Sequence, residues 1–351
     1  MKLVLKTLLL LLFSTNIQAQ YTDIINSNRP GASVGAYSVG KNVFQIETGL
    51  GYKNDTYNYG STSSIEDKQQ IGQVFLRYGF LSERLEINLH LGYIKSKENI
   101  TVSPVGALPI SATFETKGIN LNTVGLKYML FQPKTEREVN IRSWKANQRI
   151  NWKEFIPTVS LSAQMHSDLV SNPFKKDELA FKAGILLQNN FSSGLVFTGN
   201  IFMDQLSDPN AKYLNYIAGL TYAFNKKFSM FAEYDGKRYK TRAKEHWGGF
   251  GLAYLLNKDM QIDIDARKLL GHKANSSPII NYNHNYQSYY IGLGFSWRAD
   301  MHKDSYKTKT SDVEENTDDD DDDDDDRKTR KAAKKVARKN KKATKRTNKK
   351  G

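Results

Sequence analysis

Apolar and polar residues alternate with period two in twelve short stretches between Val43 and Trp297. One stretch sets Leu85, Ile87, Leu89, Leu91 and Tyr93 against Glu86, Asn88, His90 and Gly92. The last sets Tyr289, Ile291, Leu293, Phe295 and Trp297 against Tyr290, Gly292, Gly294 and Ser296. Successive side chains of a strand point to opposite faces, so each stretch predicts a strand with one apolar and one polar surface. The predicted strands cover 43–53, 71–80, 85–95, 119–130, 156–165, 181–190, 195–204, 213–224, 228–235, 247–255, 260–267 and 288–298. These lengths bracket the roughly 9–11 residues that a tilted strand needs to cross a bilayer.

Links after even-numbered strands are short, as at 81–84, 191–194, 225–227 and 256–259. Links after odd-numbered strands are longer: 54–70, 96–118, 166–180, 205–212, 236–246 and 268–287. With an even strand count, this alternation predicts an all-β, antiparallel up-and-down transmembrane barrel with both ends on one side. The link 131–155 breaks the rule, and we read it as a partly helical excursion. Strand four slips phase, because Asn120, Asn122 and Val124 share parity. A bulge near Thr123, or a later strand start, would repair it. Aromatic residues such as Tyr52, Tyr93, Tyr128, Tyr222, Phe224, Tyr254 and Trp297 fall near strand ends, where a membrane barrel places its girdles.

The ends of the chain differ from its middle. Residues 1–19 read as a signal peptide, with Lys2 and Lys6 ahead of a short apolar core and a small-residue cleavage site at Ala19. That core is too short for a spanning helix. The expected organisation is therefore a signal at 1–19, a periplasmic lead-in or plug at 20–42, a barrel at 43–298 and a tail at 299–351. Such an exported chain belongs in the outer membrane of a Gram-negative cell. The tail carries nine consecutive aspartates at 318–326 and then a Lys/Arg-rich block to residue 350, a composition expected to stay disordered.

Composition narrows the chemistry. There is no cysteine, which excludes a disulfide scaffold, a thiolate metal site and a cysteine nucleophile. A mean hydropathy of -0.59 is polar for a membrane protein, but in a barrel only alternate residues meet lipid. The formal charge of +14 is spread without a coherent basic face, so no nucleic acid is expected as partner. Parity turns a set of polar residues inward: Glu47, Arg77, Glu86, His90, Lys127, Lys182, Glu233, Asp235, Asp263, Asp265 and Arg267. These are candidates for lining a lumen. They form either a structural ion-pair network or a lining that selects solutes. Asp263-x-Asp265 and Glu233-x-Asp235 pair carboxylates on one strand face, but an ion pair with Arg267 or Arg77 accounts for them more simply than acid–base catalysis. The six histidines lack metal-ligand spacing, and no nucleophile elbow or phosphate loop is present. No catalytic residue, metal or cofactor is expected.

Residues 26–52 contain Asn28-Arg29-Pro30 and then run from Val39 through Gln45 to Glu47. This resembles the opening of the MetA-pathway phenol-degradation family of outer-membrane proteins, with Asn28 in place of an acidic residue, Gly40 of proline and Asn42 of glycine. The resemblance implies an outer-membrane barrel that takes up small solutes, aromatic or hydrophobic ones among them. Independently, Pro30 biases Arg29 toward extended backbone. Arg29 and Pro30 are plug candidates, with Arg29 placed to pair with inward Glu47. The alternative is a loosely held periplasmic lead-in. The leading expectation is thus a monomeric, non-enzymatic channel or transporter in contact with membrane lipid. The other reading is a structural barrel with a filled lumen, whose basic tail tethers it to anionic cell-wall polymer.

Overall fold

The computed structural model describes residues 24–59, 63–104, 106, 108–133, 152–175, 179–191, 194–240, 243–273 and 284–301. The signal segment, most of the 131–155 link and the charged tail lie outside the described residues. Within them run β1 (Val43–Tyr59), β2 (Ser63–Gly79), β3 (Leu85–Val102), β4 (Ile110–Phe131), β5 (Thr158–His166) and β6 (Ala180–Asn190). They are followed by β7 (Leu195–Asp204), β8 (Tyr213–Ala223), β9 (Phe228–Tyr239), β10 (Lys244–Asn257), β11 (Met260–Lys273) and β12 (His284–Asp300). Each pairs antiparallel with its sequence neighbours, and β12 returns to β1, so the sheet closes. Closure removes both free edges, which lets a sheet sit in hydrocarbon where no water can satisfy unpaired backbone groups.

The alternation read from the sequence runs apolar-out and polar-in. Leu50 is 72% exposed on the outer wall, whereas its neighbours along the inner face, Gln45 and Glu47, are 0% and 2% exposed. Outward Ile185, Leu220, Phe250, Ile264 and Leu293 continue the apolar band around the barrel. Aromatic pairs flank that band. Tyr52–Tyr289 and Tyr216–Tyr234 lie on the long-loop side, and Tyr222–Phe224, Phe228–Tyr254 and Phe155–Phe191 lie by the short turns.

Two expectations are corrected. The links after β1 and β3 are shorter than their sequence suggests, because β1 to β4 run on for 17, 17, 18 and 22 residues, whereas the link 205–212 stands as expected. Their outer ends pair polar with polar residues, as in Asp67↔Glu98 and Lys97↔Glu115. Beyond the hydrocarbon neither face has to be apolar, so the ladder continues where the amphipathic signal stops. The bulge on strand four falls at Asn120, three positions before Thr123. Gly92 pairs with Leu121 and Tyr93 with Ile119, and the strand begins earlier than expected. Of the long link after strand four, the described part includes a single 3-10 turn, Trp152–Phe155.

Residues 24–42 form no strand or helix and run inside the barrel at its short-turn end. Their exit into β1 is tight. A Cβ on Gly79 would fall on the Gly40 carbonyl, a backbone atom with little freedom to retreat. Gly79→Ala is accordingly expected to abolish the folded, heat-modifiable band on a cold gel. A variant that migrates like the wild type would show that the lead-in can shift.

Candidate functional site

A chain segment without secondary structure still has a donor and an acceptor on every non-proline residue to satisfy. Inside this barrel the inward side chains satisfy them. The Ala32 N–H donates to Glu233 at 2.9 Å and the Ser33 N–H donates to Glu233 Oε2 at 3.2 Å. Val34 exchanges two bonds with the Asn200 amide, at 2.7 and 2.8 Å, much as a neighbouring strand would. The Ala36 N–H donates to Gln188 at 2.9 Å and the Ala36 carbonyl accepts from Ser160 Oγ. The Val39 N–H donates to Glu86 at 3.1 Å. Ala32, Val34 and Ala36 also pack on inward Leu186, Phe202 and Ile217. The segment thus sweeps along the inner wall, exchanging hydrogen bonds with residues of most strands. Eight strands enclose a space that side chains alone can fill, while sixteen or more leave an aqueous channel. Twelve fall between, and here a stretch of the chain occupies the surplus space.

Two charge clusters fasten it. Arg77 on β2 donates through Nε and Nη2 to both oxygens of Glu86 at 2.9 Å, and through Nη1 to Glu47 at 3.0 Å. The same Nη1 reaches the Asn26 carbonyl at 2.6 Å. Lys127 lies 3.1 Å from Glu86 and donates to the Tyr37 carbonyl at 2.7 Å. The four side chains sit on β1 to β4, two cations against two carboxylates, each shielded almost completely from solvent.

The second cluster centres on Arg29, and it corrects the predicted partner. Arg29 does not pair with Glu47. Its guanidinium lies 3.2 Å from Asp263 and 3.6 Å from Asp265 on β11. Glu47 is taken by Arg77 and by the Asn28 N–H at 3.2 Å. Gly49 and Gly294, directly opposite one another on β1 and β12, make the space in which the Arg29 head lies. Pro30 follows, and Gly31 comes next at φ +102, where a Cβ would meet Glu233 and Phe231. Arg267 closes the cluster, with Nε 3.1 Å from Asp265 and 3.9 Å from Glu233.

Of the sequence-predicted lining residues, Glu47, Arg77, Glu86, Lys127, Glu233, Asp263, Asp265 and Arg267 therefore belong to the plug and its fastening. His90, Lys182 and Asp235 lie farther along their strands, beyond the plug. His90 and Lys182 line a cavity of about 370 Å³ together with Thr123, His166, Asp204 and Tyr213. There Thr123 Oγ1 lies 3.1 Å from His166 Nδ1, His166 Nε2 lies 3.0 Å from Asp204, and the Tyr213 O–H donates to Asp204 at 2.8 Å. Asp235 lines a second cavity of about 400 Å³, with Lys53, Tyr57, Trp247, Tyr286 and Tyr290. Parity would have turned His166 inward, since it shares a face with Ser160, Ser162 and Gln164. Tyr57 and Tyr286 carried no such signal, because both lie where long loops were expected. Among the described residues no group of three His, Asp or Glu is arranged to hold a metal ion.

Residues 27–281 match the model of the family described as "Putative MetA-pathway of phenol degradation". No curated protein matches the chain. Among solved structures it is similar to an outer membrane channel from Pseudomonas putida F1, at 10% identity over 78% of this chain and 100% of that one, with a TM-score of 0.48. It is similar to the transport unit of the autotransporter AIDA-I from Escherichia coli at 12% identity, covering 83% and 96%, with a TM-score of 0.46. A third is the Pseudomonas putida toluene transporter TodX, at 10% identity, covering 81% and 99%, with a TM-score of 0.43.

Proposed function

The chain belongs to the MetA-pathway phenol-degradation family of outer-membrane barrels, and we propose that it is a non-enzymatic channel for small solutes, throttled at its short-turn end by residues 24–42. The observation that carries this reading is the pair of polar-lined cavities, about 370 and 400 Å³, beyond the plug. Volumes of that order suit a small molecule. His90, Lys182 and Asp235 are assigned to solute contact. The remaining inward charges hold the plug, with Arg29 and Pro30 at its turn. The family's description points to aromatic cargo. The polar linings favour solutes that carry hydroxyl or other polar groups, because a bare hydrocarbon would strip water from the ionised groups there without replacing it.

Planar-bilayer conductance tests the reading. Wild-type protein is expected to give small steps, and Arg29→Ala larger ones, since Asp263 loses its counter-ion and the plug its anchor, while Asp265 keeps Arg267. Silence from both, together with no solute permeation in liposome swelling, would remove the channel. A second reading has its own support in the backbone hydrogen bonds that tie Ala32, Ser33, Val34, Ala36 and Val39 of the plug to the wall. It takes the barrel as a sealed structural monomer, with the basic tail tethering it to anionic cell-wall polymer. Under that reading a tail-deleted chain loses co-sedimentation with cell wall while the barrel stays intact.

A further inference from the structure

We propose that the cavity lined by β1, β2 and β9 to β12 is a binding site for a neutral, polyhydroxylated solute of the saccharide class, a reading that rests on the channel function and narrows its cargo. Rings of Tyr57, Tyr286, Trp247 and Tyr290 face this space. Tyr57 and Tyr286 stack face to face at 4.3 Å with planes 6° apart, so each ring fixes the other and keeps one face for a ligand at the outer end. Aromatic faces of this kind pack against the C–H faces of a sugar ring and lose little conformational entropy in doing so. Among them stands Asp235, 6% exposed, whose Oδ1 accepts no hydrogen bond from the described residues. A buried carboxylate oxygen without a donor is costly, and a ligand hydroxyl is the donor it lacks.

The charges around it select against other occupants. Lys53 is held by Asp55 at 2.6 Å and Arg267 by Asp265 at 3.1 Å, so neither is free to neutralise an anion. Lys237 and Glu245 are register partners on β9 and β10, which leaves no excess of positive charge. A cationic ligand fares no better, because Lys53 already lies 5.6 Å over Trp247 and Arg267 4.8 Å over Tyr290. Like charge would repel a second cation from both rings. A neutral molecule that can donate to Asp235, accept from Lys237 or Gln73 and stack on Tyr57 meets each requirement.

Calorimetric titration of the full-length protein in detergent, with maltotriose, phenol and choline as separate probes, tests this. Maltotriose is expected to bind saturably, and Asp235→Asn and Tyr57→Ala each to weaken it by roughly tenfold. Both variants should keep the wild-type heat-modifiable band. Absence of saturation by maltotriose, or saturation by phenol or choline alone, overturns the proposal, as does unaltered affinity in both variants. Conductance is read separately on the same preparations. Current without sugar binding removes this site and leaves the channel standing, whereas sugar binding without current leaves the site and removes the channel.

Discussion

Arg77→Ala is expected to destabilise the barrel more than loss of any other charged side chain at the plug, by about 3–5 kcal/mol, the usual cost of breaking a buried ion pair from one side. The side chain is fully buried and serves Glu86 through two bonds, Glu47 through one and the Asn26 carbonyl through another. Without it, two carboxylates remain buried with Lys127 as their nearest cation, and that ammonium is committed to Glu86 and Tyr37. Lysine is a poor substitute at position 77, because a point charge cannot reproduce the planar fork that spans both carboxylates. Urea titration in detergent, followed by the heat-modifiable band, measures the effect. A midpoint for Arg77→Ala equal to the wild type's would show that the four-residue cluster contributes nothing to stability. Arg29→Ala is expected to lower the midpoint much less than Arg77→Ala does, since Arg29 is partly accessible and Asp265 keeps Arg267.

The second large effect is expected in conductance rather than stability. Valine at position 294 places a Cβ on the Arg29 guanidinium and the Asp263 carboxylate. The strand itself tolerates the change, because β-branched residues suit extended backbone. Something inside must yield, and Arg29 is the mobile party: it sits on a segment with no ladder of its own. Gly294→Val is therefore expected to expel Arg29 and raise single-channel conductance severalfold, with the barrel still resistant to unfolding on a cold gel. Gly49→Val, directly across the β1–β12 pair, should do the same. Unchanged conductance in both variants would mean that the plug is not what limits flow.

Strand number, order and facing were legible because period-two alternation is written into each segment separately. Leu85 to Tyr93 shows its apolar face without reference to any other strand. The outer halves of β1 to β4 were not legible, since Lys53 to Tyr59 and Ser96 to Val102 are polar on both faces and look like loop. The bulge could be sensed from the parity slip around Asn122, but its position at Asn120 depends on how β3 lies beside β4. The plug segment could be named from Arg29-Pro30 and its partner could not. Glu47 was the nearest inward acid in sequence, yet Arg77 had already claimed it.

By itself, then, the amino-acid sequence determined a closed wall with hydrocarbon outside and charge inside, because alternation needs only the local geometry of a strand. The tertiary structure alone decided what that charge is for. Asp263 and Asp265 lie 234 and 236 residues from Arg29 along the chain, and only barrel closure, with two facing glycines, brings them within reach of it. Long-range pairing of this kind leaves no local trace, since each partner's residue type is equally suited to water, to an ion pair or to a solute.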